Sequence, residues 1–147
     1  MFKNHCIFCN EIVRNRKASV IYESDKVLAF MDNAPVEPGH ALVIPKEHYE
    51  NILDIDYETY LEVHRVTKAL SSPIIRAVSA EGINIGQNNG ACANQKVFHY
   101  HVHIIPRFPD RELKWGRSIV LDRELDQVAA RIRDEIQNHD GNIPILK

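Results

Sequence analysis

The chain has few cysteines and no long apolar run. Three cysteines among 147 residues are an odd number and too few for the disulfide framework of a small secreted protein. No stretch approaches the ~20 apolar residues of a membrane-spanning helix, and the opening MFKNHCIFCNEIVRNRK contains no apolar run typical of a signal peptide. These absences predict a cytoplasmic protein with no membrane partner, in which Cys6 and Cys9 are reduced thiols or metal ligands and Cys92 is incidental.

A surplus of positive charge is also missing. The 18 lysines and arginines are balanced by 20 aspartates and glutamates, whereas an extended nucleic-acid-binding surface carries a clear basic excess. No such surface is therefore expected. A hydrophobic fraction of 44% is typical of a globular protein, and the chain shows no internal repeat, low-complexity tract or linker. Residues 1–147 are predicted to form a single domain.

Short β-prone runs occur in the first half of the chain. The runs 20–22 and 27–31 are separated by turn residues and predict a hairpin. A loop with two prolines leads to a third strand at 41–44, which Pro45 ends. The segments INIGQNN and VFHYHVHII predict two further strands, and the second is the longest strand candidate in the chain.

Two amphipathic helices are predicted. From Asp56 to about Ala80, steps of three and four separate the apolar or neutral residues Tyr60, Val63, Thr67, Leu70 and Ile74. Asp56 suits the N-cap, Gly82 suits the C-terminal stop, and Pro73 predicts either a kink or the start of a second helix. The final helix is predicted from about Asp122 to Asn138. Strands outnumber helices and come in runs, which favours an α+β fold with an antiparallel sheet.

The stretch VFHYHVHIIPR, residues 97–107, places three histidines at alternate positions. Alternate residues of a strand share one face, so His99, His101 and His103 are expected to point together. The outer two are about 13–14 Å apart at Cα, too far for one zinc ion with ligands at ~2.1 Å to bind all three from a flat strand. The histidines therefore have different roles. Imidazole acts as nucleophile, acid or donor to an anion near neutral pH, which favours phosphoryl chemistry over incidental exposure on a sheet.

The histidine stretch resembles the signature of the histidine-triad (HIT) family, H-φ-H-φ-H-φ-φ, where φ is apolar. The segments CIFC, VLAFMDNAPVEPGHALVIPKEH and GINIGQNNG also occur in the family's order, so the resemblance spans roughly residues 6 to 107. It implies a HIT-like α+β fold with an antiparallel sheet of about five strands, one long helix and a C-terminal helix. It also implies a homodimer, for which the long helix and a sheet edge are candidate interfaces.

The resemblance implies a nucleotide hydrolase that attacks the α-phosphorus of a dinucleoside polyphosphate or a nucleoside 5'-phosphoramidate. His101 would be the nucleophile and form a nucleotidyl-histidine intermediate that water cleaves. His103 would hold phosphate, and His40 would assist protonation of the leaving group. No catalytic cofactor is implied. Two alternatives stay open: a purine-nucleotide-binding module with incidental turnover, and a hydrolase whose histidines bind a catalytic ion.

Further nucleotide contacts follow from the same resemblance. The carboxylate of Asp32 would accept both ribose hydroxyls, Asn88 would lie near the α-phosphate, and Gln95 would contact phosphate or the leaving group. Many relatives carry GQT or GQS where this chain has NQK. Lys96 therefore either attracts a more anionic leaving group, such as a polyphosphate, or points to solvent. Trp115 is either a stacking residue or a packing anchor.

A structural zinc site is the second implication of the resemblance. The spacing of Cys6 and Cys9 alone is a weak signal, but His48 and His99 match the nitrogen ligands of zinc-containing HIT relatives. Two thiolates and two imidazoles complete a tetrahedral site with no open position, so this zinc is not expected to perform the chemistry. The runner-up ligand is His5, and unliganded thiols are the alternative.

Overall fold

The computed structural model describes residues 3–114 and 119–139. Trp115, the proposed stacking or packing residue, lies outside these ranges. In chain order the elements are a π-helical segment Phe8–Arg14, strands β1 Val20–Glu23, β2 Val27–Met31 and β3 Ala41–Pro45, helix α1 Tyr57–Val78, strand β4 Gly82–Gly86, a 3₁₀ turn Ala91–Ala93, strand β5 Val102–Arg107 and helix α2 Asp122–His139.

The five strands form one antiparallel sheet in the order β1-β2-β3-β5-β4. This confirms the α+β fold with about five strands, one long helix and a C-terminal helix. Helices α1 and α2 pack against each other and on one face of the sheet. The opposite face is covered by apolar side chains of residues 6–19, here called the N-terminal segment.

The alternation along β2 shows how the two faces are divided. Val27, Ala29 and Met31 belong to the core beneath the helices, whereas Leu28 and Phe30 pack with the N-terminal segment. All five side chains are buried. Because both faces are covered, the strand is apolar at every position rather than at alternate ones.

Helix α1 follows the predicted pattern, with one correction at its end. The Asp56 carboxylate accepts a hydrogen bond from the Thr59 backbone N–H at 2.9 Å, which confirms the N-cap. The helix continues through Pro73, so no second helix begins there. It ends at Ser79 in the left-handed conformation, φ 56°, and not at Gly82, which begins β4 and pairs with Arg107. Neither described helix combines the length and apolar character needed to cross a membrane.

The strand predicted for VFHYHVHII is shorter than expected. Strand β5 begins at Val102, so His103 is in the ladder, opposite Leu42, whereas residues 97–101 precede the strand. The Tyr100 backbone N–H donates instead to the carbonyl of Tyr49 at 2.7 Å. The alternation of faces persists across this junction, because Tyr100 and Val102 both pack in the core beneath the helices.

Candidate active site and metal centre

An open cleft of about 1110 Å³ lies between the N-terminal segment, the end of β2, the start of β5 and the start of α2. Four of the predicted site residues line it: Asp32, Asn88, His101 and His103. His40 and Gln95 do not. The cleft is therefore built from parts of the chain that are far apart in sequence.

A single backbone hydrogen bond sets the tautomer of His101. Its Nδ1 lies 2.7 Å from the carbonyl oxygen of His99. A carbonyl oxygen only accepts, so Nδ1 carries the proton and the lone pair of the neutral ring is on Nε2. The ring is buried edge-on against Phe8, with centroids 5.4 Å apart. His101 thus has a fixed ring and an Nε2 able to act as a nucleophile.

His103 has the opposite tautomer, and His40 determines it. The Val36 backbone N–H donates to His40 Nδ1 at 3.0 Å, so the proton of the neutral His40 ring is on Nε2. His40 Nε2 lies 2.9 Å from His103 Nδ1 and donates to it. The proton of His103 is therefore on Nε2, as a donor suited to a phosphate oxygen. His40 is fully buried and does not line the cleft itself, but it contacts His103, which does.

Asp32 lies beside these histidines at the end of β2. Its Oδ1 accepts from the Ala34 backbone N–H at 2.9 Å, and its Oδ2 is 3.5 Å from His40 Nε2. Ligand atoms of Asp32, His40 and His103 lie close enough together to hold a metal ion. However, the proton on His40 Nε2 leaves that nitrogen without a lone pair, so the bonding pattern favours a hydrogen-bond chain over a catalytic ion at this point.

The loop before β3 holds His40 in place. Gly39 has φ +88°, and a Cβ at this position would lie 3.0 Å from side-chain atoms of both Pro106 and Val78. Glycine meets both constraints, the left-handed backbone and the close approach. The His40 backbone N–H then donates to the carbonyl of Glu37 at 3.1 Å, which closes the turn that aims the imidazole at His103.

Gln95 is turned away from the cleft. Its Nε2 donates to the carbonyls of Glu50 at 2.6 Å and Val97 at 3.1 Å, and its Oε1 accepts from the Gly90 backbone N–H at 2.7 Å. The side chain is 4% exposed. The contact with phosphate that the resemblance implies would require these bonds to break, whereas Lys96, the next residue, does line the cleft.

Cys6, Cys9, His48 and His99 form a second cluster, with candidate ligand atoms all within 4.8 Å of one another. The Sγ atoms of Cys6 and Cys9 lie 3.4 and 3.5 Å from His99 Nδ1, and Cys9 Sγ lies 3.4 Å from His48 Nδ1. A tetrahedral zinc ion with ordinary bond lengths separates nitrogen and sulfur ligands by about 3.6 Å. The observed spacing fits a zinc ion. His5 is exposed and is not part of the cluster.

The chemistry of the donors also suits zinc. Burial lowers the pKa of His99 to about 4 and lowers the pKa of His48, so both rings are neutral at pH 7. His99 Nε2 donates to the carbonyl of Pro45 at 2.8 Å, which leaves the lone pair on Nδ1, beside the thiols. Burial raises the pKa of the Cys6 thiol, so a neighbouring cation is needed to ionise it at neutral pH.

One wall of the cleft was not predicted from the sequence. Ile7, Phe8 and Ile12 line it together with Arg16 and Lys17, all from the N-terminal segment. Ile7 and Phe8 are the two residues between the candidate zinc ligands in CIFC, so the spacing that suits the metal also places an aromatic ring against His101. The apolar character of Ile7 and Phe8 was the sequence feature that could have indicated this wall.

Comparison with known proteins gives the following matches. The family model of the HIT domain matches residues 13–110. The chain is 38% identical over 136 residues to adenosine 5'-monophosphoramidase hnt1 of Schizosaccharomyces pombe, covering 90% of this chain and 98% of the relative. It is 33% identical over 137 residues to adenylylsulfatase HINT3 of Arabidopsis thaliana, covering 89% and 69%. The solved structure of a Zn-bound histidine triad family protein from Mycobacterium smegmatis has a TM-score of 0.83 at 31% identity, covering 93% and 96%.

Proposed function

The chain belongs to the HIT family, and from this premise we propose that it hydrolyses nucleotides at the α-phosphorus, with a dinucleoside polyphosphate or a nucleoside 5'-phosphoramidate as substrate. The observation that carries the proposal is the pair of opposite tautomers in the cleft. His101 has its lone pair on Nε2 because Nδ1 donates to the His99 carbonyl. His103 has its proton on Nε2 because His40 donates to its Nδ1.

The proposed reaction has two displacements at phosphorus. In the first, His101 Nε2 attacks the α-phosphorus, a P–N bond forms, and the bond to the leaving group breaks with its electron pair on that group. A phosphate or sulfate departs as an oxyanion, whereas an amine takes up a proton from solvent as it departs. The His101 ring then carries a positive charge, which the carbonyl of His99 stabilises through the Nδ1–H bond. In the second, water attacks phosphorus, the P–N electron pair returns to Nε2, and the water proton passes to solvent. His103 Nε2–H holds a phosphate oxygen during both steps.

The nucleoside would be bound on the side of Asp32. The relatives hnt1 and HINT3 are named for reactions of adenosine nucleotides, which supports a purine mononucleotide as the bound half of the substrate. The Asp32 carboxylate, at the cleft edge, has oxygens suited to the ribose hydroxyls. The apolar surface of Phe8 and Phe30 in the same cleft suits the flat face of a base. Asn88, also in the cleft lining, would contact the phosphate.

We propose that His40 acts as a positioning residue for His103. Replacing His40 with asparagine removes the Nε2–H that fixes the His103 tautomer, so kcat/KM is expected to fall about 10- to 100-fold, the usual cost of losing an outer hydrogen-bond partner. Because His40 does not line the cleft, any proton that it supplies to a leaving group must pass through a cleft residue that it contacts, His103 or Asp32. Steady-state kinetics with AMP release as the readout, alongside the melting temperature, test this. Unchanged kcat/KM in a folded His40→Asn protein would contradict the role.

The Cys2His2 cluster is proposed to hold a structural zinc ion. Cys6, Cys9, His48 and His99 would supply all four ligands, which leaves no open position for substrate or water. When bound, the ion would hold the N-terminal segment in place and would take no part in the reaction. The Zn-bound relative from Mycobacterium smegmatis supports this assignment.

We also propose a homodimer that forms through β4 and the exposed side of α1. Strand β4 is at the edge of the sheet and has unpaired backbone groups on its outer side, which invite a second strand. Ile85 on β4 is 46% exposed, and Tyr57 and Leu61 on α1 are 87% and 58% exposed. Because α1 and β4 contact each other, these apolar side chains lie on one side of the molecule.

The double replacement Leu61→Glu and Ile85→Glu is expected to convert the dimer into a monomer, because it buries two charges in the proposed interface without a partner. Light scattering after size-exclusion chromatography measures the mass. Leu121→Glu is the matched control, since Leu121 is exposed but lies outside this surface. A double variant that keeps twice the chain mass would show that the interface is elsewhere, and a wild-type monomer would exclude the dimer.

A further inference from the structure

Within the part of the chain that the structure describes, three lysine or arginine side chains line the cleft, and they differ in their partners. Arg16 forms an ion pair with Glu23, and Lys17 Nζ lies 2.7 Å from Glu11 Oε2. Lys96 is exposed and has no carboxylate partner among residues 3–114 and 119–139. Its charge is therefore available to a ligand, whereas those of the other two are already compensated.

Lys96 lines the same cleft as His101, the proposed nucleophile. The polar lining of this cleft also includes Asn88, Asn94 and His103. The two amides are neutral, so they offer hydrogen bonds and no formal charge to a ligand. Lys96 thus adds a positive charge without a carboxylate partner, among residues 3–114 and 119–139, to the cleft in which His101 is proposed to attack phosphorus.

The backbone at Lys96 is held firmly on both sides. The buried side chain of Gln95 makes three hydrogen bonds to the backbone, joining Gly90, Glu50 and Val97. Val97 packs partly buried in the core under the N-terminal segment. Because the residues on both sides of Lys96 are anchored, its Cα stays in place. The position of the ammonium group in the cleft therefore depends only on the conformation of the lysine side chain.

We propose that Lys96 determines which leaving group the site accepts, and that the substrates are nucleotides whose α-phosphorus is joined through an anhydride to a phosphate or sulfate, in preference to phosphoramidates. This inference rests on the proposed function. When His101 Nε2 forms the P–N bond, the P–O bond of an anhydride breaks and its electron pair departs on an oxygen of the leaving group. The Lys96 ammonium stabilises the negative charge that develops there. A departing amine takes up a proton and gains nothing from a cation.

The test compares three substrates with the same adenylyl half. Adenosine 5'-phosphosulfate and diadenosine tetraphosphate have anionic leaving groups, and adenosine 5'-phosphoramidate has a neutral one. The measured quantity is the ratio of kcat/KM for the anhydrides to kcat/KM for the phosphoramidate, and in Lys96→Met this ratio is expected to fall about tenfold. The effect is smaller than the loss caused by deleting a buried hydrogen-bond donor, because the Lys96 ammonium is solvated. Lys96→Arg retains the charge and is expected to keep most of the ratio.

Lys114→Met is the matched control, because Lys114 is exposed and does not line the cleft, and its ratio is expected to equal that of the wild type. A Lys96→Met protein with an unchanged ratio, whether both activities fall together or neither falls, overturns the inference while leaving the proposed function in place. A wild-type protein that releases AMP from none of the three substrates overturns the proposed function itself.

Discussion

Replacing His101 with asparagine is expected to lower kcat by about 10³-fold or more, while AMP still binds. In the proposed reaction the imidazole Nε2 forms the bond to phosphorus, and an asparagine amide nitrogen has no comparable lone pair. The amide N–H₂ of asparagine can still donate to the His99 carbonyl, which His101 Nδ1 now contacts at 2.7 Å. The variant therefore removes the nucleophile and keeps the local hydrogen bond.

The measurement pairs turnover with binding. AMP release from each candidate substrate gives kcat, and isothermal titration with AMP gives Kd. Mass spectrometry of acid-quenched wild-type mixtures is expected to find a nucleotide on the peptide that contains His101. His5→Asn is the matched control, because His5 is exposed and outside the cleft. If His101→Asn retained turnover, the protein would be a hydrolase with another nucleophile; if the wild type bound AMP without turnover, the binding-module alternative would hold.

The apolar patterns were sufficient to predict the main elements because burial fixes them locally. The run 27–31 is a strand as predicted, and the Asp56 N-cap is confirmed by its bond to Thr59. Side-chain preferences and spacing act within a few residues, so one sequence is enough to find them. Helix α1 ends at Ser79 instead of Gly82, and Ser79 adopts the left-handed conformation that glycine usually takes at a helix end, so the preference for glycine pointed to the wrong residue.

The roles within the site were harder to predict because they depend on partners distant in sequence. The tautomer of His103 depends on a backbone N–H at Val36, relayed through His40. Gln95 turns inward because the carbonyl of Glu50 lies beneath it. Nothing in the spacing of the histidines or in NQK indicates these contacts. Residue types in a motif predict which groups meet, whereas the proton positions follow from backbone atoms that only the folded chain brings together.

The histidine row combines two kinds of site in one short stretch. His99 Nδ1 faces the thiols of Cys6 and Cys9, and the His99 carbonyl accepts from His101 Nδ1. His99 thus contributes its side chain to the proposed metal site and its backbone to the proposed nucleophile. Phe8, which lies between Cys6 and Cys9, packs against the rings of both histidines. A metal ion that anchors the N-terminal segment would therefore stabilise one wall of the cleft.

Removing the metal is accordingly expected to lower the melting temperature by about 10 °C or more, since a structural zinc ion contributes several kcal/mol and each kcal/mol shifts Tm by about 2–4 °C in a protein near this size. Below the new Tm, kcat is expected to remain near the wild-type value because all four ligand positions are filled by the protein. KM is expected to rise, because Phe8 and Ile12 line the cleft and lose their anchor.

Cys9→Ser reproduces the loss of the metal without a chelator, and Cys92→Ser is its matched control, because Cys92 is exposed and outside the cluster. Elemental analysis should find one zinc per chain in the wild type and in Cys92→Ser, and none in Cys9→Ser. Calorimetry gives Tm, and kinetics at a temperature where every variant is folded separates kcat from KM. Loss of kcat from a folded, zinc-free protein would show that the ion takes part in the chemistry, and an unchanged Tm would show that the thiols hold no structural metal.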